Sequence, residues 1–173
     1  MKSSFVFQPL DLTLRNSKTW LLAGAFVAGN LVFPQLCHLI PNGGLIFLPI
    51  YFFTLIAAYK FGLKAGLLTA IFSPILNSLL FGMPFFALLP VILIKSCLLA
   101  IAAALIAKKS RSVSIWLIAL VILIYQVFGG MAEWAITANF QAAVQDFMIG
   151  FPGMLIQLFG GFIILSLMAR YER

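Results

Sequence analysis

Residues 86–111 read FALLPVILIKSCLLAIAAALIAKKSR, and this stretch decides the class of the protein. From Phe86 to Ala107 it is apolar apart from Lys95 and Ser96, and it closes on Lys108-Lys109-Ser110-Arg111. A spanning helix needs roughly 20 apolar residues, so 86–107 reads as one membrane span with a basic anchor. The same pattern recurs on either side, at 19–39, 45–60, 64–82, 113–133 and 148–169. Together these predict an all-α polytopic membrane protein of six transmembrane helices. The breaks are Pro41-Asn42-Gly43-Gly44, Lys60 to Lys64, Gly82-Met83-Pro84, Lys108 to Arg111, and the polar stretch Asn139 to Asp146. Span two is short, and Pro49, Pro74 and Pro90 lie inside spans two to four. Such prolines are tolerated in lipid where neighbouring helices satisfy the freed carbonyls.

Composition agrees. The chain is 64% hydrophobic and 9% charged, with a mean hydropathy of +1.14. Four acidic and eleven basic residues cannot clothe a soluble domain of 173 residues. Residues 1–18 read as a cytoplasmic N-terminal segment and 19–173 as a single membrane domain, with no room for a soluble one. The first segment lacks a compact apolar run, which argues against a cleaved signal peptide. Its alternating Phe5, Phe7, Leu10, Leu12 and Leu14 predict a segment lying on the membrane surface. Cys37 and Cys97 fall at different depths and read as free thiols.

The net charge of +7 would suggest nucleic acid in a soluble protein; here it reads as topology. Lys2, Arg15 and Lys18 precede span one, Lys60 and Lys64 separate spans two and three, Lys108, Lys109 and Arg111 separate four and five, and Arg170 and Arg173 close the chain. The alternate loops carry no Lys or Arg. By the positive-inside rule both termini are cytoplasmic. The remaining basic residue, Lys95, is expected near mid-membrane, where a charge is costly and marks function.

Three stretches resemble the S components of energy-coupling factor (ECF) transporters, six-helix membrane proteins that capture vitamins. The first runs from Leu48-Pro49-Ile50 through Gly62 to Gly66-Leu67-Leu68, and the second joins Gly82-Met83-Pro84 to Pro90, Lys95 and Lys108-Lys109. The third, Gly150-Phe151-Pro152-Gly153 to Gln157-Leu158, is similar to the last span of pantothenate- and pyridoxine-type members. The resemblance implies a multi-pass protein of the bacterial cytoplasmic membrane, partnered by a transmembrane coupling protein and two ABC ATPases that energise release inside. It also implies a small-residue docking motif on the first helix. Here Gly24/Ala28 and Ala25/Gly29 stand four apart, without the family's strict AxxxA. Packing within the bundle is the other reading of those four residues.

Polar residues concentrate in the outer halves and outer loops: Gln35, His38, Asn42, Asn77, Lys95, Gln126, Glu133, Asn139, Gln145 and Asp146. A site loaded from outside would have this asymmetry. The substrate-binding candidates are Lys95, Asn77, Gln126, Glu133, Trp134, Asn139, Gln157 and Asn42. Lys95 either meets a substrate carboxylate or pairs internally with Glu133 or Asp146. On the first reading, Lys95→Met abolishes binding of an anionic ligand and leaves the protein folded. Trp134 and Phe140 either stack on a ligand ring or are interfacial aromatics. Asn77 lines a pocket or bonds a neighbouring helix. Residues 136, 140, 144 and 147 are apolar at helical spacing, predicting a surface helix that acts as a lid or a connector.

No cofactor is expected, and the lone His38 makes no metal site. Catalytic motifs are absent from the sequence, so no enzyme is expected. The alternatives are an MreD-type membrane scaffold, which needs no polar pocket, and a solitary transporter acting without ATPases.

Overall fold

The structure, a computed structural model, describes residues 5–10 and 12–171, with side chains from Phe7 onward. Lys2 and Arg173, used in the charge argument, lie outside the described residues. In chain order the elements are β1 (Phe5–Val6), α1 (Ser17–Cys37), the short α2 (Gly43–Phe47), α3 (Phe52–Phe61), α4 (Leu63–Phe81), α5 (Leu89–Ser110), β2 (Ser112–Val113), α6 (Ile115–Thr137), α7 (Phe140–Met148) and α8 (Phe151–Tyr171). A single 3-10 turn, Pro49–Tyr51, leads into α3.

Five helices, α1, α4, α5, α6 and α8, are long and apolar enough to cross a bilayer. The chain is a multi-pass, nearly all-helical membrane protein. The ends of these five helices fall within four residues of those expected from sequence. Local chemistry explains the boundaries. The Asn16 side chain accepts from the Lys18 N–H at 3.0 Å and starts α1. Pro90, in the first turn of α5, has no N–H to leave unsatisfied there. Gly82 ends α4 at φ 69°, a conformation that suits a residue without Cβ.

The span predicted at 45–60 differs. Leu48, at φ 46°, breaks it into α2 and the Pro49–Phe61 segment. The latter is roughly 20 Å long at about 1.5 Å per residue, against a hydrocarbon core of about 30 Å. Burial explains why so short a helix serves. Leu55, Ala57, Ala58 and Tyr59 are all 0% exposed, and α3 packs against α1, α4, α5 and α8. A helix that is apolar all round belongs in an interior. Close approaches hold it there: a Cβ on Gly66 would lie 2.4 Å from Ala58 Cβ.

The Lys and Arg residues at the ends of α3, α4, α5 and α8 gather at one end of the bundle, and the N-terminal stretch closes that end. β1 pairs antiparallel with β2, Phe5 opposite Val113. The Phe7 N–H donates to the Arg111 carbonyl at 2.9 Å, and that of Leu10 to Lys60 at 2.8 Å. The Phe7 ring is 1% exposed and 5.7 Å from the Tyr59 ring, with the Lys60 ammonium 4.5 Å from its centroid. Within the predicted surface-lying segment, Phe5 and Val6 thus form a short ribbon and Phe7 a plug, while Leu10 and Leu14 are exposed.

Candidate functional site

The polar cluster lies at the opposite end. Lys95 enters from α5, Glu133 from the last turns of α6, and Asp146 from α7. The Lys95 ammonium donates to Glu133 Oε2 at 2.5 Å and to Asp146 Oδ2 at 2.8 Å, with side chains 3%, 10% and 13% exposed. Both internal pairings open from the sequence are present at once. The helix proper begins at Leu89 rather than residue 86, which puts Lys95 about 9 Å from that end at 1.5 Å per residue.

Gly129 makes the arrangement possible. A Cβ there would lie 2.6 Å from Lys95 Cγ, so the lysine stem crosses α6 against bare backbone. Gln126, Gly129 and Glu133 are spaced three and four apart and share one face of α6. Both side-chain heteroatoms of Gln126 are buried without a protein partner, as is Ser96 Oγ on α5.

A tyrosine pair extends the cluster. The Tyr51 and Tyr125 rings lie 5.3 Å apart, and Tyr125 donates to Gln157 Oε1 at 2.9 Å. Gln157 Nε2 has no protein partner. Tyr51 lies within electrostatic range of Asp146 and Glu133. Each unsatisfied buried polar group costs about 1–3 kcal/mol. Three such atoms, on Gln126 and Gln157, are carried on α6 and α8 beside this cluster. Sequence reading did not single out Ser96, Tyr51 or Tyr125. A tyrosine inside an apolar span carries no distinguishing signal until a partner is seen.

Asn77 belongs to a separate network. Its amide donates to the Asn30 carbonyl at 2.8 Å and the Ser73 carbonyl at 3.0 Å, while Asn30 donates to Thr54 and Ser73 hydroxyls at 3.1 Å. These bonds tie α1, α3 and α4 together, which is the inter-helix reading of Asn77. Gln35 reaches the Asn77 oxygen at 3.4 Å. Asn139 caps α7, accepting from Ala142 N–H at 3.2 Å. Asn42 is an exposed turn residue at φ 58°, its carbonyl opening α2. Trp134 is 53% exposed and meets Phe140 edge-on at 5.9 Å. Thus Lys95, Glu133, Gln126 and Gln157 line one region, while Asn77, Asn42, Asn139 and Trp134 stand outside it.

On α1, Gly24, Ala25 and Ala28 are exposed, and a Cβ on Gly24 would meet nothing within 4 Å. Gly29 instead faces inward, its Cβ position 3.0 Å from the Phe53 ring. The four candidate docking residues therefore split, three outward and one toward α3. A groove of about 690 Å³ lies at the basic end, lined by Phe7, Gln8, Gly62, Lys64, Lys108 and Arg111 among others. It is remote from the buried cluster. Cys37 and Cys97 are free thiols. Among the described residues, no group of three or more His, Cys, Asp and Glu side chains is placed to hold a metal ion.

Comparison with protein-family models, with curated proteins and with solved structures finds no match to this chain.

Proposed function

We propose that this chain is the substrate-binding membrane subunit of an ECF-type importer, capturing a small water-soluble vitamin or related micronutrient. The observation that carries the reading is the buried Lys95–Glu133–Asp146 cluster with unpartnered amides at Gln126 and Gln157. Charged side chains inside a membrane protein are expensive and are kept for pathways and sites. This cluster lies at the end away from the cationic residues, which under the positive-inside rule is the outer face. Both termini are then cytoplasmic, and α3 is counted as the sixth, incomplete span. Helix α7 covers the site and contributes Asp146, as a lid would.

The partners follow from the sequence resemblance: a transmembrane coupling protein and two ABC ATPases in a bacterial cytoplasmic membrane. The exposed Gly24, Ala25 and Ala28 suit close approach by another helix. An MreD-type scaffold needs a surface but no buried, partly unsatisfied polar interior, and the Gln126 side chain has no use in one.

The test is mass spectrometry of small molecules released from protein purified in mild detergent, against an unrelated six-span control. A vitamin-sized compound near one per chain supports the binding subunit and names its cargo. An empty protein that also ignores added vitamins in thermal-shift titration turns the reading toward the scaffold.

A further inference from the structure

The buried cluster contains one ammonium and two carboxylates, each carboxylate within hydrogen-bond distance of Lys95. Its formal charge is therefore −1. From sequence, Lys95 was a candidate to receive a substrate carboxylate, but the geometry opposes that use. An incoming carboxylate would have to displace two resident ones already bonded to the ammonium, and would add a second net negative charge to a buried site. Like charges at such range repel strongly where water is scarce.

A positive group meets the opposite situation. We infer that this site takes a small organic cation, with Glu133 and Asp146 as the countercharges and Lys95 as the group that holds those carboxylates in place when the site is empty. This inference rests on the substrate-binding reading above. The surrounding groups suit such a guest. Tyr51 and Tyr125 present neighbouring rings at 5.3 Å, and aromatic faces attract cations. Gln126 Oε1 and Nε2 and Gln157 Nε2 are buried and unpartnered, and they supply both donors and acceptors to the edge of a heterocycle. Asp146 is the one charged member carried on a short helix outside the long spans, so displacement of α7 opens the site and removes one countercharge from Lys95 together.

The experiment uses the full-length protein in mild detergent, titrated by calorimetry and thermal shift. Two probe classes are compared: cationic thiamine and pyridoxamine, and the carboxylates pantothenate and biotin. The compound that co-purifies with the protein is identified in parallel. Expected are a cationic co-purified compound or stabilisation by a cationic probe, with Asp146→Asn and Glu133→Gln each weakening that binding at least tenfold. Asp146→Asn leaves Lys95 paired with Glu133, so folding is retained; melting in the absence of probe verifies this. Binding confined to carboxylates overturns the cation inference and leaves the transport reading standing. Cation binding unchanged in both variants also overturns it, by placing the site elsewhere. An empty protein that binds neither class overturns both readings.

Discussion

Replacing Lys95 by Met removes the cation that, among the described residues, is paired with two buried carboxylates. Glu133 and Asp146 reach the same nitrogen, at 2.5 and 2.8 Å, so their oxygens are no farther apart than those two distances together. With the ammonium gone, two negative groups about nine-tenths buried face each other across an apolar stem. Breaking a buried pair by removing one partner costs about 3–5 kcal/mol, because the surviving charge is left uncompensated. At about 1.4 kcal/mol per tenfold, this shifts the folded-to-unfolded ratio by roughly a hundred- to a few-thousand-fold. A Lys95 that served only a ligand could be replaced by Met without loss of folding; one paired twice inside the protein could not. The assay is thermal unfolding in mild detergent, followed by tryptophan fluorescence, for the single variant and for the triple variant Lys95→Met, Glu133→Gln, Asp146→Asn. The single variant should melt well below the parent, and the triple variant should recover most of the loss because no charge remains buried. A Lys95→Met protein as stable as the parent, or a triple variant no better than the single, would refute the electrostatic account.

Other positions give independent checks. Asn77→Ala should cost about 1–3 kcal/mol of stability by stranding the Asn30 carbonyl, with no change in ligand affinity; a selective loss of affinity would return Asn77 to the site. Gly129→Ala should force Lys95 aside, since its Cβ lies 2.6 Å from Lys95 Cγ, at about 1–3 kcal/mol for an overpacked contact; wild-type melting would contradict that contact. Phe7→Ala should lose about 3–5 kcal/mol, the usual cost of deleting a buried aromatic ring, and a melting curve unmoved by the change would show that the ribbon carries no packing energy. Gly24→Leu points into open space and should leave melting unchanged while abolishing co-purification of the proposed coupling protein; retained co-purification would assign docking to another surface.

Hydropathy and charge made most of the fold legible. Runs of apolar residues punctuated by Lys pairs located α1, α4, α5, α6 and α8, because lipid imposes a length on each helix. The α3 region was less legible, since burial among protein neighbours removes that length requirement and hydropathy cannot distinguish protein from lipid. In the site, Lys95, Glu133, Gln126 and Gln157 stood out as polar residues in apolar surroundings. Asn42 and Asn139 stood out for the same reason, yet they serve a turn and a helix cap. Asn is favoured at both places for its local hydrogen bonding, and sequence does not separate that role from binding. Lys95's partners lie 38 and 51 residues away. Which carboxylates it meets is decided by how α5, α6 and α7 pack, and no local pattern encodes that.

The ribbon between β1 and β2 has a bearing on how the chain is assembled. Phe5 and Val6 precede their partners Val113 and Ser112 by more than a hundred residues. Strand β1 therefore waits, unpaired, until α5 has been laid down in the bilayer and the chain has turned back. Only then do the Tyr59 ring and the Ser112 carbonyl, which accepts from the Tyr59 hydroxyl at 2.8 Å, form the seat that Phe7 fills. Closure of the basic end is thus a late stitch across the bundle. A chain cut short before residue 111 would insert its early helices and still leave that end open.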